Sequence, residues 1–272
     1  MARWFGKSGK SGDSDASGPA GRAGAAGQAE DDPLNTADAL RLAYGRTGDQ
    51  GLLRRAVLAA ETARGQYPAD DPHHASALSA LCMLYRLRWE RERDPALLER
   101  SLTYGRQAVD ASPPGDPELG RHMSSLATSL QEAFDRGGRR QDIDEAIALY
   151  RSCLDILPAG HPEHAGQESN LANSLLRRAQ KFPDAATLDE ALTHARAALD
   201  DTPQKDPMYP VRAVNLGGVL LALVQTGQLR HAAEAQRMYE EALRRFPRSH
   251  PARGQVQGAV ERIRYLRRTL GI

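Results

Sequence analysis

Five prolines recur along this chain at an almost fixed interval: Pro68, Pro113, Pro158, Pro203 and Pro247 stand 45, 45, 45 and 44 residues apart. A second set keeps the same step behind an Asp or His, as Asp71-Pro72, Asp116-Pro117, His161-Pro162, Asp206-Pro207 and His250-Pro251. Two markers in phase define an internal repeat. A period of 20 to 50 residues belongs to arrays of stacked units rather than to a single globular core.

Within each period the apolar residues fall at intervals of three and four, the stripe of an amphipathic helix. In the third unit Ile143, Ala146, Ile147, Tyr150, Cys153 and Leu154 make this stripe, with Asp144 and Glu145 near its start, where carboxylates meet the positive end of the helix dipole. The spacing predicts that this second helix of the unit stops at Pro158, which has no amide hydrogen to continue the ladder. The first helix of each unit is expected just after the Asp-Pro or His-Pro pair, because proline suits an opening turn. It carries Leu81, Leu126, Leu171 and Leu216, with Val260 at the matching place, and one turn later Tyr85, Leu130, Leu175 and Leu220. Polar connectors, Arg46 to Asp49, Arg136 to Arg140 and Thr226 to Gln228, separate the paired helices. Period-two alternation of useful length is missing. The fold class read from this pattern is all-α, a right-handed superhelical solenoid of about five helix-turn-helix repeats plus a C-terminal capping helix, roughly eleven helices in all. Unit boundaries fall at about 33–71, 72–116, 117–161, 162–206 and 207–250, with a cap over 251–272.

Counting from Ala146, apolar or small positions at Tyr150, Cys153 and Pro158 follow the spacing of the second helix of tetratricopeptide repeats, and Leu171-Ala172 and Leu216-Gly217 resemble the Leu-Gly position of that family's first helix. From Leu34 to about Ile272 the chain is similar to the long-period tetratricopeptide-like arrays of actinobacteria. The usual repeat is shorter by eleven residues; the sequence assigns seven of these to the stretch between the paired helices and four to the stretch between units. The resemblance implies a protein-binding or peptide-binding scaffold. Small residues at Ala63, Ala108, Cys153, Ala198 and Ala242 keep paired helices close, where a larger side chain would cost roughly 1 to 3 kcal/mol by overpacking.

Residues 1–32 read differently. From Gly6 to Asp32 the apolar side chains are alanines alone, too little to offset ordering entropy, so a flexible Gly/Ser/Ala-rich tail is expected. Trp4 and Phe5 precede it as a candidate docking peptide for a second partner. Gly6-Lys7-Ser8 and Gly9-Lys10-Ser11 lack the earlier glycine and the leading strand of a phosphate loop, which excludes a nucleotide site there.

A formal net charge of +1 gives no global pull toward nucleic acid or membrane. Cys82 and Cys153 are too few for a disulfide framework and are read as reduced thiols of a cytoplasmic protein, Cys153 in the core and Cys82 partly exposed. The apolar run Val214 to Val224 is about half of what a spanning helix needs, and no apolar segment follows Met1 as in a secretory signal. His161, Glu163 and His164 could supply metal ligands, yet His73-His74 at the matching junction reads as turn and cap chemistry. No nucleophile elbow, zinc-protease motif or carboxylate pair departs from the repeat, so neither enzymatic activity nor a cofactor is expected.

Binding is expected on the concave face of stacked first helices. Ser125, Thr128, Asn170, Asn173, Arg177, Asn215 and Gly218 flank the recurring leucine there. Each Asn amide offers a donor and an acceptor, suited either to an extended peptide backbone or to neighbouring helices. Arg262, Arg264, Arg267 and Arg268 form a candidate basic patch in the closing helix, suited to phosphates or to a solvated cap. The resulting expectation is a non-enzymatic adaptor that binds a protein or peptide in the groove. The alternative is a regulatory or sensory subunit that binds nucleic acid or a small ligand and signals to a separately encoded effector.

Overall fold

The computed structural model describes residues 32–113, 115–157 and 160–271; Pro158, Trp4 and Phe5 lie outside the described residues. Among the described residues there are eleven α-helices and no strand: α1 Pro33–Thr47, α2 Gln50–Gln66, α3 Pro72–Glu92, α4 Pro95–Ala111, α5 Leu119–Gly137, α6 Arg140–Ile156, α7 His164–Lys181, α8 Ala185–Asp200, α9 Tyr209–Gln225, α10 Ala232–Arg245 and α11 Arg253–Leu270. One 3-10 turn, Leu229–His231, leads into α10. The fold is an all-α helical repeat. It divides into two compact units, Met1–Asp142 and Ile143–Ile272.

Helix starts follow from short carboxylates. Asp32, Asp49, Asp71, Asp94 and Asp184 each accept a hydrogen bond from the backbone N–H two residues on, which satisfies one of the orphan donors of the first turn. Asp116 and Asp206 make the same bond to Glu118 and Met208 at 2.8 and 2.7 Å, one turn ahead of α5 and α9. Pro72 therefore opens α3, whereas in α5, α7, α9 and α11 the helix begins two residues after the corresponding proline. At the other end, α2, α4 and α10 stop two residues short of Pro68, Pro113 and Pro247.

The long period goes mainly into the helices and not into the link within a pair. First helices run to 21, 19, 18 and 17 residues in α3, α5, α7 and α9. The expected Arg136 to Arg140 connector shrinks to Gly138-Arg139, because Gly138 adopts the left-handed conformation at φ 66° and its N–H closes back on Phe134. For the same reason α6 starts at Arg140, so that Ile143 sits in its second turn.

Every repeat position assigned to the core is buried: Leu81, Leu126, Leu171, Leu216 and Val260 in the first helices, and Ala63, Ala108, Cys153, Ala198 and Ala242 in the second. Paired helices fit through matched volumes. Cys82 lies across from Gly105, where a Cβ would stand 2.9 Å from the Cys82 sulfur and from Leu126 Cδ1. In the second unit the sizes are reversed: Gly217 occupies the Cys82 position of its repeat, and the ring of Tyr239, in the Gly105 position, fills the space, with ring atoms 3.1 to 3.2 Å from where a Cβ would be. Close packing at interior density leaves room for one large residue per pair of sites.

Candidate functional site

The expected groove residues occupy partly exposed positions on the first helices of each unit. In the unit Met1–Asp142, α5 presents the expected Ser125 and Thr128; Glu132 on α5 and Ala80, Met83, Leu87 and Glu90 on α3, which the sequence reading did not single out, are also partly exposed. In the unit Ile143–Ile272, α7 presents Asn170, Asn173 and Arg177 and α9 presents Asn215 and Gly218. Several of these groups have structural work as well. Asn215 Nδ2 donates to Ser169 Oγ on α7 at 2.8 Å, and Ser79 Oγ donates to Ser125 Oγ at 3.4 Å in the matching register of the first unit. Ser125 and Thr128 hydroxyls also donate to the carbonyls of Arg121 and Ser124. Asn173 Oδ1 accepts from Arg177 Nε at 3.2 Å, which orients the guanidinium one turn further along α7.

Beside the α3 patch, Arg86 is buried and ion-paired with Glu90, while the indole N–H of Trp89 donates to Glu132 at 3.4 Å. Burial raises the Glu132 carboxyl above its ordinary value, and the charge of Glu90 adds to that effect against the pull of Arg86. Sequence reasoning missed this group because Glu132 and Glu90 meet only when α5 is laid against α3.

The candidate basic patch is partly consumed inside the fold. Arg264 pairs with Glu240 of α10 at 2.6 Å, and Arg267 Nη1 donates to Gln236 at 2.9 Å; Arg262 and Arg268 are exposed. A cleft of about 370 Å³ between α6, α7 and α8 is lined by Asp144, Arg151, Leu175, Arg178, Thr187 and Glu190. Its polar groups satisfy one another: Arg178 reaches Asp144 at 2.8 Å and Thr187 at 2.9 Å, and Arg151 reaches Glu190 at 2.6 Å. Arg196 and Glu234 repeat the Arg151–Glu190 pair one unit later at 2.8 Å, which marks both as braces between successive second helices.

Cys82 is fully buried and not partly exposed as expected, because Ser101 and Ser129 close over it; its sulfur lies 3.6 and 3.5 Å from their hydroxyls, and burial raises its thiol pKa. Burial first, and then the Glu163 charge, push Cys153 up to about 12. Neither thiol is activated as a nucleophile. His161 Nδ1 accepts from the Glu163 N–H at 3.2 Å, a capping role, and His164 faces Asp201 at 3.8 Å. Among the described residues no group of three or more His, Cys, Asp or Glu could hold a metal ion. Ser112, His122 and Asp116 gather the residue types of a nucleophilic triad, but Ser112 and Asp116 both face the same ring nitrogen, at 2.8 and 3.8 Å. The Ser112 hydroxyl also donates to Ala108 O. Thr202 and Arg212 pair in the same register 90 residues later, so the arrangement is a brace at the junction between units.

No protein-family model matches the chain, and no curated protein matches it. Among solved structures, the crystal structure of BtubC (BKLC) from P. vanneervenii is similar at 16% identity, covering 91% of this chain and 92% of that one with a TM-score of 0.39. The de novo designed helical repeat protein DHR64 is similar at 19% identity over 90% and 93% of the two chains, with a TM-score of 0.19. The DHF79 filament protein is similar at 18% identity over 88% and 98%, with a TM-score of 0.19. Among the described residues no helix is long and apolar enough to cross a membrane.

Proposed function

We propose that this chain is a non-enzymatic adaptor of the long-period tetratricopeptide-like class, cytoplasmic and of actinobacterial type, which binds an extended protein or peptide segment on the exposed faces of its first helices. One observation carries the reading: Asn170, Asn173 and Arg177 stand partly exposed along one side of α7, and the Asn173–Arg177 bond fixes both side chains before a ligand arrives. A preorganised amide and guanidinium row offers donors and acceptors at helix spacing, and it lowers the entropic cost of holding a peptide backbone. The regulatory alternative, with Arg262, Arg264, Arg267 and Arg268 meeting phosphates, is weakened by the engagement of Arg264 and Arg267 with α10. Two buried thiols of raised pKa accord with a reducing compartment.

The test is capture from native lysate with the full chain and with the Asn170→Ala/Asn173→Ala variant, each checked for an unchanged melting temperature. A partner lost by the folded variant supports the reading. Full retention by that variant removes α7 from the binding surface. A partner lost only on raising salt, or only from an Arg262→Ala/Arg268→Ala variant, favours the phosphate-binding alternative.

A further inference from the structure

The first-helix faces differ along the repeat. On α3 the three outward positions are Ala80, Met83 and Leu87, whereas the matching positions on α7 are Asn170, Asn173 and Arg177. The α3 face is thus an apolar strip, and carboxylates border it: Glu90 on α3, Glu132 on α5 and the exposed Asp135 one turn further along α5, with Arg86 the guanidinium set among them. A fitting ligand presents large apolar groups flanked by cations. The chain itself carries such a segment. Met1-Ala-Arg3-Trp4-Phe5-Gly6-Lys7-Ser8-Gly9-Lys10 has three basic side chains, no acid before Asp13, and two of the chain's six Trp and Phe residues side by side.

The connection is long enough. Asp32, where the described chain begins, accepts a hydrogen bond from the Tyr67 hydroxyl at 2.7 Å, and the Tyr67 carbonyl lies 2.9 Å from the ring of His74 in the first turn of α3. At 1.5 Å of rise per residue, Met83 and Leu87 lie roughly 16 and 22 Å farther along that helix from Pro72. The stretch from Gly6 to Asp32 can span up to about 85 Å when extended.

We propose that Met1–Lys10 is an intramolecular ligand of the α3–α5 face, with Trp4 and Phe5 packed on Met83 and Leu87 and the basic groups beside Glu90 and Glu132. The proposal rests on the reading that first-helix faces bind peptides. Met83 favours this occupant further, since thioether–aromatic contacts add to the apolar burial. Tethering replaces a bimolecular encounter by an effective concentration near the millimolar range, so a segment of weak intrinsic affinity still occupies the face. An outside peptide must then displace it.

The experiment uses the full chain with the photo-crosslinking residue p-benzoylphenylalanine placed at position 5. The expected products are intramolecular crosslinks to α3 and α5 around Met83 and Leu87, in a yield unchanged by twenty-fold dilution. Leu87→Glu should reduce that yield several-fold at an unchanged melting temperature. Crosslinks to other elements, or only between chains, overturn the proposal. A fluorescein-labelled Met1–Lys10 peptide provides the second measurement: it should bind the Trp4→Ala/Phe5→Ala chain about tenfold or more tightly than the unaltered chain. Equal affinities overturn the proposal as well. If the crosslinks fall elsewhere while the Asn170→Ala/Asn173→Ala variant still loses its captured partner, the adaptor reading stands and only the intramolecular occupancy is lost.

Discussion

Gly217 and Tyr239 show how single side chains set the distance between paired helices. A methyl at position 217 would stand 3.1 Å from the Tyr239 ring, and that ring is too enclosed by α9 to retreat freely. Gly217→Ala should therefore lower stability by about 1 to 3 kcal/mol, read from the urea midpoint. Pairing it with Tyr239→Leu should cost less than the two single changes added together, because the smaller side chain vacates the contested volume. Cys153 invites the opposite change, since alanine holds its position in the four other units. In the folded chain its thiol is pushed up to about 12, whereas an unfolded thiol ionises near pH 8.5. Between those values the unfolded chain binds fewer protons than the folded one, so this group's contribution to stability is intact below about pH 8.5 and declines as pH rises further. Cys153→Ala should leave the urea midpoint at pH 7 within about 1 kcal/mol of the parent and flatten the fall between pH 8.5 and 10.5. A slope unchanged by the substitution would assign the alkaline loss to other groups.

Helices in this chain are started by Asp more than by any other residue, and the capping bonds give each element a testable end. Asp94 Oδ1 accepts from the Ala96 N–H at 3.0 Å, with the cap residue itself exposed, so Asp94→Ala removes the bond without opening the core. A loss of about 0.5 to 2 kcal/mol is expected, with Asp94→Asn recovering most of it. An equal loss for both variants would point to charge rather than capping. The period and the buried stripe of these elements were legible in the sequence because prolines and leucines mark them locally. Their lengths were less so. Arg93 ends α3 in the left-handed conformation at φ 59° without the glycine that usually signals such a turn, so the end of α3 carries no local mark even though Asp94-Pro95 marks the start of α4. The roles of the positions expected to line a groove were not legible: the partner of Asn215 is Ser169 on the preceding first helix, and that pairing depends on how α7 and α9 are laid together. Glu132 and Glu90 were invisible for the same reason.

At the scale of the whole chain, each unit of a stacked array alone leaves an apolar face for the next. Helix α11 departs from that pattern in its sequence register. In α7 and α9 the face that receives the unit's own second helix is built from Ala172, Leu175 and Ala179 and from Gly217, Leu220 and Val224, all buried. In α11 the matching positions are Glu261, Arg264 and Arg268, all exposed, while Val256, Ala259, Val260 and Ile263 on the other side pack inward. Two of the four arginines that suggested a phosphate site, Arg264 and Arg268, thus stand where a further second helix would pack if the repeat continued. Burying those charges against a neighbouring chain would cost far more than the contact returns, which keeps this face from recruiting another copy. The Glu261→Ala/Arg264→Leu/Arg268→Leu variant restores the apolar pattern of α7 on an exposed face. Its mass by light scattering should rise with concentration relative to the unaltered chain at the same loading, while its circular dichroism stays helical. Identical masses over a hundredfold concentration range would mean that the charges on this face are not what keeps copies of the chain apart.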